Sequence, residues 1–552
     1  MASKTAEKKP DKGLSFPTDA KGERSTSIAG KNIIAAAIRG AGTADSDELA
    51  SKCEREKNWR FNYNKHFMNM VKVSAYSPKA ALGVANAGID YMHSNFEFVD
   101  PTNPSKVMKF NAYMNGQFKP FETGTIVGNK AKDAKPELAV PYKGKVLKGE
   151  TLKAQLTKWA KYGTMEADAA ASISKLADGP LDLAGQHFVL IGAGSAMGPF
   201  IKLLEHGATV VAIDIPGAWG AGPCKMWERL ITTARNSSGT IIFPLAKPQS
   251  SYASDADMFA GCGCNLTEQP GEIAAWLKTV SPKSRLAIGN YTYLDGDLHV
   301  KLSLAADAVI AEVCKARRDT AIAFLCTPTD IHFVPEEAHA AAQKNFGFHF
   351  GKEIEMLINL LTMGKKLVKN ALPPIQTEDG SKVRVIDGLS VAQGPNYALA
   401  KRLQHWRAIV AYDNNHTVSS NIAPSTATLS VVSNKSFGWA YEGMPYFKPY
   451  EIFLQDTTNA IMAAVLISDI SDRTSVANPS NRAVKGIKNP LELFKFNSVH
   501  GGLWRAAYKV DSIGEVSAII YFMGGPKRFL PTVYALLAVI ALLVAKFVLK
   551  LF

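Results

Sequence analysis

The sequence predicts an α/β fold, a doubly wound parallel sheet carrying an N-terminal extension and a C-terminal transmembrane helix. Three observations predict it. The stretch from His187 to Pro216 runs apolar segment, glycine-rich turn, amphipathic segment and second apolar segment, ending on Asp214. Downstream, apolar β-like runs alternate with helical patterns, the order that builds a parallel sheet. The last uncharged run, Phe529–Ala545, is 17 residues long with basic residues on both sides. The chain divides into a polar tail (1–30), an N-terminal accessory region (31–180), the sheet-forming domain (181–526) and the apolar end (529–550).

Composition narrows the class. A 552-residue chain with 47% hydrophobic and 20% charged residues holds a real core. The net charge of +14 is spread along the chain without a basic block interleaved with aromatics, which argues against nucleic acid. It fits attraction to an anionic membrane surface or to cofactor phosphates. The six cysteines include no CxxC pair, so neither a zinc site nor a disulfide framework is indicated. Residues 1–30 are polar and Lys-rich, with acids at Glu7, Asp11, Asp19 and Glu23, and read as a disordered tail rather than a targeting signal. In 31–150 the aromatics imply folding, and prolines from Pro101 to Pro141 imply short strands and loops. Leu152–Leu176 reads as one helix.

The His187–Pro216 unit has the parts of a dinucleotide site in order. Gly192, Gly194, Ser195, Met197 and Gly198 form a turn whose glycines let backbone approach a pyrophosphate, and the following helix start offers free N–H groups. Asp214, 22 residues after Gly192, can accept from the ribose hydroxyls. The bland alternative is a glycine turn that only packs a helix on a sheet. Further strands are expected at Gly239–Pro244, Arg285–Gly289 and Thr320–Leu325, with helices at Glu268–Val280 and Leu302–Lys315.

The stretch Glu353–Val432 carries a resemblance. In order it holds Asn359-Leu-Leu-Thr-Met-Gly364, a strand ending at Ser390, Tyr397-Ala-Leu-Ala-Lys401, and Asn421-Ile-Ala-Pro424. Behind the glycine turn, this pattern resembles the short-chain dehydrogenase/reductase family over about 183–470. The resemblance implies a Rossmann fold, NAD(H) or NADP(H), a dimer or tetramer, and a catalytic set of Tyr397, Lys401, Ser390 and Asn359. Tyr397 would be the proton donor or base at the reacting oxygen, with Lys401 one helical turn on lowering its pKa. Ser390 would hydrogen-bond the substrate oxygen, and Asn359 would hold a relay water. Asn265 stands where the family often has an adenine-contacting Asp, and Pro424 and Thr426 where it closes on nicotinamide. Without the flanking features, Tyr397 and Lys401 would read as a helix-face aromatic and a solvated lysine. Ser390 lies only 7 residues before Tyr397, which leaves Ser381 or another hydroxyl as a substitute.

Several positions depart from the family. Ala196 stands where a second turn glycine is common, Cys326-Thr-Pro328 replaces Asn-Ala-Gly after the fourth strand, and 281–315 reads as an inserted βα unit. Asp214 favours the free 2′-hydroxyl of NAD; Lys225 and Arg229 lie downstream. Phe437, Trp439, Tyr441, Met444, Tyr446 and Phe447 read as an apolar substrate lid or as ordinary core. Pro449–Ile470 reads as a helix. Phe529–Ala545 reads as a tail anchor in the endoplasmic reticulum or another organelle, keeping the domain on the cytosolic side. The expected activity is therefore membrane-anchored, NAD(P)-dependent interconversion of hydroxyl and carbonyl on a hydrophobic, lipid-like substrate. A non-catalytic nucleotide-binding scaffold or sensor, or a reductase of activated double bonds, are the alternatives.

Overall fold

The computed structural model describes residues 11–131, 136–347 and 352–548; residues 1–10 of the polar tail and 549–550 of the apolar end lie outside them. The main sheet has seven strands: β1 (Glu122–Val127), β2 (His187–Ile191), β3 (Thr209–Ile213), β4 (Thr240–Leu245), β5 (Leu286–Asn290), β6 (Ala321–Cys326) and β7 (Val418–Ile422). Their spatial order is β7-β6-β5-β2-β3-β4-β1. All neighbours are parallel except β1, which pairs antiparallel with β4 at one edge. From β2 the chain builds outward to β4, then returns to β5 beside β2 and builds the other way. The order therefore reverses between β2 and β5, the position at which open α/β sheets bind ligands outside the carboxyl ends of their strands.

The strands form here because both faces of the sheet are covered, so continuous apolar runs are stable in them. In β2, Phe188 and Leu190 join one core with Trp227 and Leu230, while Val189 and Ile191 join the other with Leu304 and Leu403. Labelled helices are α1 (Thr26–Gly40), α2 (Trp59–Ala75), α3 (Pro78–Asn95), α4 (Phe200–Glu205), α5 (Ala221–Arg235), α6 (Asp297–Ala316), α7 (Glu353–Leu361), α8 (Pro395–Asp413), α9 (Lys435–Gly443), α10 (Gln455–Ser471), α11 (Val510–Phe522) and α12 (Pro526–Val548).

The N-terminal region differs from its sequence reading. Residues 26–95 hold α1, α2, α3 and the shorter helix Ser46–Glu54 instead of short strands, because the one proline within them, Pro78, starts α3 and the later ones fall after Asn95. Upstream, Ile33, Ile34, Ala37 and Ile38 keep a helical stripe that is fully buried. Nor is the described part of the 1–30 tail without structure. Gly13–Ser15 pairs with Glu97–Val99, and Leu14 and Phe16 are buried. The helices share a core with the sheet. A Cβ on Gly88 of α3 would lie 2.4 Å from the Trp406 ring of α8, so the two helices approach closely only because Gly88 has no side chain. Asp307 of α6 accepts from His93 of α3 at 2.7 Å and from Arg407 of α8 at 2.6 and 2.8 Å, tying three helices at one buried carboxylate.

Three further expectations are corrected. The single helix over Leu152–Leu176 is two, Gly149–Tyr162 and Ala167–Leu176, parted at Gly163 with φ 93°, a left-handed C-cap. Residues 281–315 are not an insertion: they supply β5, the strand beside β2, and most of α6. The helix expected over Pro449–Ile470 begins at Gln455.

Candidate functional site

The cofactor-side residues gather at the carboxyl ends of β2 and β3. Gly192 follows β2 with φ 88°, a conformation that L side chains rarely adopt. Its N–H donates to Ile213 O at 2.8 Å, and a Cβ there would lie 3.1 Å from the backbone of Tyr291 and Thr292. Glycine is what lets the β2 turn and the β5 loop close on each other across the point of strand reversal. The Gly194 N–H donates to Asp214 Oδ2 at 2.7 Å, and the Ile215 N–H donates to Oδ1 at 2.8 Å. Burial raises the Asp214 pKa, opposed by these two N–H groups and by Arg229. Arg229, on α5, also donates to Gly194 O at 3.3 Å, so a cation sits at this end after all.

The turn itself is held from within. Gly198 N–H donates to Ser195 O at 3.2 Å, Met197 N–H to Ser195 Oγ at 3.4 Å, and Asn459 of α10 donates to Ala196 O at 2.8 Å. The helix that follows, α4, is only six residues long, shorter than the sequence reading implies. Pro199 lacks an N–H at its start, and Gly207, with φ 85°, breaks the chain soon after its end. Asn265 lies near Asp214, since the adjoining Cys264 N–H donates to Asp214 O at 2.9 Å. Its own side chain accepts from the Thr267 N–H and hydroxyl at 3.1 and 3.0 Å, a turn leading into the helix Pro270–Thr279.

The second half of the site lies at the ends of β5 and β6. Tyr397 is in the first turn of α8, half-buried, with Lys401 one turn later. The Tyr397 side chain lies near Thr327, at the end of β6, whose hydroxyl is paired with Thr329 Oγ1 at 2.7 Å. Its ring packs edge-on against His299 of α6 (5.4 Å between centroids) and Tyr293 of the β5 loop (6.2 Å). Lys401 Nζ donates to Leu325 O at 3.2 Å and to Gln404 Oε1 at 3.3 Å, and stands 6.0 Å from the Tyr397 ring centroid. Burial is the largest influence on both groups: it pushes the phenol up to about 12 and the lysine down. The expectation that Lys401 lowers the Tyr397 pKa is therefore not met here, because its ammonium is directed at a carbonyl and an amide.

Ser390 and Asn359 are placed elsewhere. The strand before Ser390 is Val385–Asp387, paired antiparallel with Ile331–Phe333 outside the main sheet. The Ser390 hydroxyl donates to Asp511 Oδ1 at 2.6 Å, and the Val391 N–H donates to Oδ2 at 2.7 Å, joining this loop to the start of α11. Asn359 lies on α7, which Glu355 ties to Tyr508 by a 2.7 Å hydrogen bond; the helix packed along α8 is α6. Pro424 and Thr426 follow β7, where the Ala423 N–H donates to Cys326 O at 2.9 Å. The Thr426 hydroxyl is bonded to Pro424 O at 2.9 Å and to Thr458 at 2.8 Å.

Sequence reasoning missed Thr327 and His299. Taking 281–315 as an insertion shifted the strand count by one. With β5 in the main sheet, Asn290 and the Tyr291–Thr292 loop stand at the carboxyl end of the strand beside β2, and Thr327 stands at the end of β6. The Thr327 loop is rigidly held. His332 Nε2 donates to Thr327 O at 2.9 Å, Thr329 donates to Gln393 at 2.8 Å, and Asp330 forms a buried ion pair with Arg402. His299 has its Nδ1–H on Leu294 O at 3.0 Å, while Nε2 is buried without a partner. Burial and the nearby Lys401 charge hold it down at about 3, so at neutral pH Nε2 carries a lone pair. In the aromatic segment, Met444 and Phe447 are core, whereas Tyr441 feels the charge of Tyr397. Among the described residues no cluster of His, Cys, Asp and Glu is arranged to hold a metal ion.

No protein-family model matches this chain, and a search of curated proteins finds no matching relative.

Proposed function

We propose that the chain is a membrane-anchored, NAD(P)-dependent oxidoreductase of the short-chain dehydrogenase/reductase type, acting on a hydroxyl or carbonyl of a hydrophobic substrate. The observation that carries this reading is convergence. The glycine turn with Asp214 and the Tyr397–Lys401–Thr327 group come from distant parts of the chain and meet at the carboxyl edge of one parallel sheet, either side of its strand reversal. The strand order β4-β3-β2-β5-β6-β7, with its reversal between β2 and β5, supports a Rossmann-type reading.

The residues fit a dinucleotide. Gly192 and Gly194 keep side chains out of the turn, and the half-buried Asp214 keeps lone pairs for ribose hydroxyls. Asp214 supports NAD(H), and Arg229 at the same turn supplies the cation that a 2′-phosphate would need, so NADP(H) stays within reach. The nicotinamide supplies hydride chemistry when bound. The protein's part is to orient the substrate oxygen on Thr327 and to hold a proton at Tyr397 Oη. A phenol pushed up to about 12 is protonated at neutral pH, the form carbonyl reduction requires. Lys401 stands one helical turn on, 6.0 Å from the Tyr397 ring centroid, as the basic partner of the pair.

The apolar helix Pro526–Lys546 is long enough and apolar enough to cross a bilayer by length and composition. It supports anchorage and, through it, a lipid-like substrate. The scaffold reading draws on one observation, the commitment of Ser390 to Asp511. Assaying Tyr397→Phe against ketone and enone substrates with NADH and NADPH separates the readings. Carbonyl turnover should fall at least about 100-fold with dinucleotide binding retained. Enone turnover indifferent to Tyr397 would favour the double-bond reductase, and no turnover by the wild type on any substrate would favour the scaffold.

A further inference from the structure

The face around the start of α12 is apolar and basic. In the segment following α7, Met363 is 78% exposed, and Leu360 at the end of α7 is 76% exposed. Lys366 in this segment forms an ion pair with Glu515 of α11, which places the segment beside that helix. Glu515, Ile519 and Phe522 share one side of α11 by helical spacing, and Ile519 and Phe522 are 56% and 65% exposed. The Phe522 ring meets Trp439 of α9 at 4.9 Å, and α9 and α11 cross so closely that a Cβ on Gly443 would overlap Ser517 O. The start of α12 is docked on the same group, with Phe529 against Tyr446 at 5.0 Å. Lys365, Lys435, Lys527 and Arg528 are exposed on these segments; the acids among them are Glu442, Glu515 and Asp511, the last bonded to Ser390 and Val391.

Helix α9 carries the face inward: Tyr441 packs against the core, while Trp439, two residues away, meets Phe522 of α11 at the apolar face.

We propose that this face, made by Leu360–Lys366, α9 and the outer side of α11, seats on the surface of an anionic phospholipid bilayer. The inference rests on the membrane-anchored reading. Three features select a bilayer as the occupant. The face adjoins the one described helix long enough to span; it pairs exposed apolar tips with lysine and arginine; and large exposed apolar side chains insert into the interfacial layer while neighbouring cations meet headgroups.

The test uses the full-length chain, one copy per nanodisc, in phosphatidylcholine with phosphatidylserine. Bimane is attached at Leu360→Cys, Ile519→Cys, Val484→Cys or Leu543→Cys, with the unsubstituted chain as background. Val484, 84% exposed, lies in the loop where Arg482 pairs with Asp413 at the far end of α8 from Tyr397. Shallow doxyl-labelled lipid should quench positions 360 and 519 at least twofold and leave 484 bright. Quenching at 543 with none at 360 or 519 would overturn the docking and spare the anchor. No quenching at 543 would overturn both. Quenching at 360 and 519 that is unchanged without phosphatidylserine would overturn the anionic part of the proposal. Shielding at 360 and 519 only in discs carrying two chains would give the face to a second copy and overturn it.

Discussion

Thr327 and Ser390 compete for one role, and their surroundings decide between them. Both are hydroxyls near the start of α8 in sequence or in space, but Ser390 is spent on the Asp511 carboxylate while Thr327 lies near the Tyr397 side chain. Thr327→Val should therefore lower carbonyl turnover by about 10- to 100-fold with little change in dinucleotide affinity. Ser390→Ala should leave turnover near wild type and cost about 1 kcal/mol of stability, seen as a lower urea midpoint. The opposite pattern would return the substrate oxygen to Ser390. The YxxxK pair was legible in sequence because its spacing is local: four residues on a helix is one face. Thr327 was not, since its partnership with Tyr397 spans a long segment whose length varies freely, and only the strand count locates it. His299 was hidden for a different reason. A single histidine in an apolar helix carries no pattern, and its role follows from which ring it touches.

At the scale of elements, the β2–turn–β3 unit was readable because each part obeys a short-range rule: apolar runs, glycines, a terminal acid. Its helix was overestimated because Pro199 and the Gly207 stop shorten α4 to six residues. The turn's tightest point is Gly192. Gly192→Ala would force an L residue to φ 88° and press its Cβ to 3.1 Å from the β5 loop. It should cost roughly 1–2 kcal/mol from the backbone alone. It should also open the turn from the Tyr291–Thr292 loop, and calorimetry should report weakened dinucleotide binding. Unchanged affinity in a folded Gly192→Ala protein would show that the turn does not cradle the ligand. The N-terminal helices were misread because proline frequency, which belongs to the segment after Asn95, was set above the apolar stripe of Ile33, Ile34, Ala37 and Ile38. What orders them is tertiary: α3 lies against α8 through Gly88 and Trp406.

For the whole molecule, buried charge and buried imidazole set the response to acid. Asp307 is tied to His93 and Arg407 across three helices, and the guanidinium partner and burial of the site leave no room for water to replace it. Asp307→Ala should destabilise the fold by about 3–5 kcal/mol, because Arg407 is left uncompensated. Denaturant titration would measure it, and a loss below about 1 kcal/mol would mean the helices are held without this carboxylate. His299 and His332 are held down at about 3 and about 4, and His405 well below its usual value, all by burial. In the unfolded chain these rings take a proton near pH 6.5. The unfolded state then binds more protons, so the stability they contribute is complete above about pH 6.5 and is lost as pH falls below it. The urea midpoint should drop measurably between about pH 7.5 and about pH 5. Equal midpoints would show that these rings protonate without cost.

The measurement that bears most directly on the central claim is a fluorescence titration of the full-length chain in detergent with NADH and with NADPH, paired with Asp214→Ala. The site predicts saturable binding of dinucleotide by the wild type, tighter for NADH, with that preference reduced or reversed once Asp214 is removed and Arg229 remains. Failure of either dinucleotide to bind the folded chain would contradict the account, and the Tyr397 assignment would fall with it.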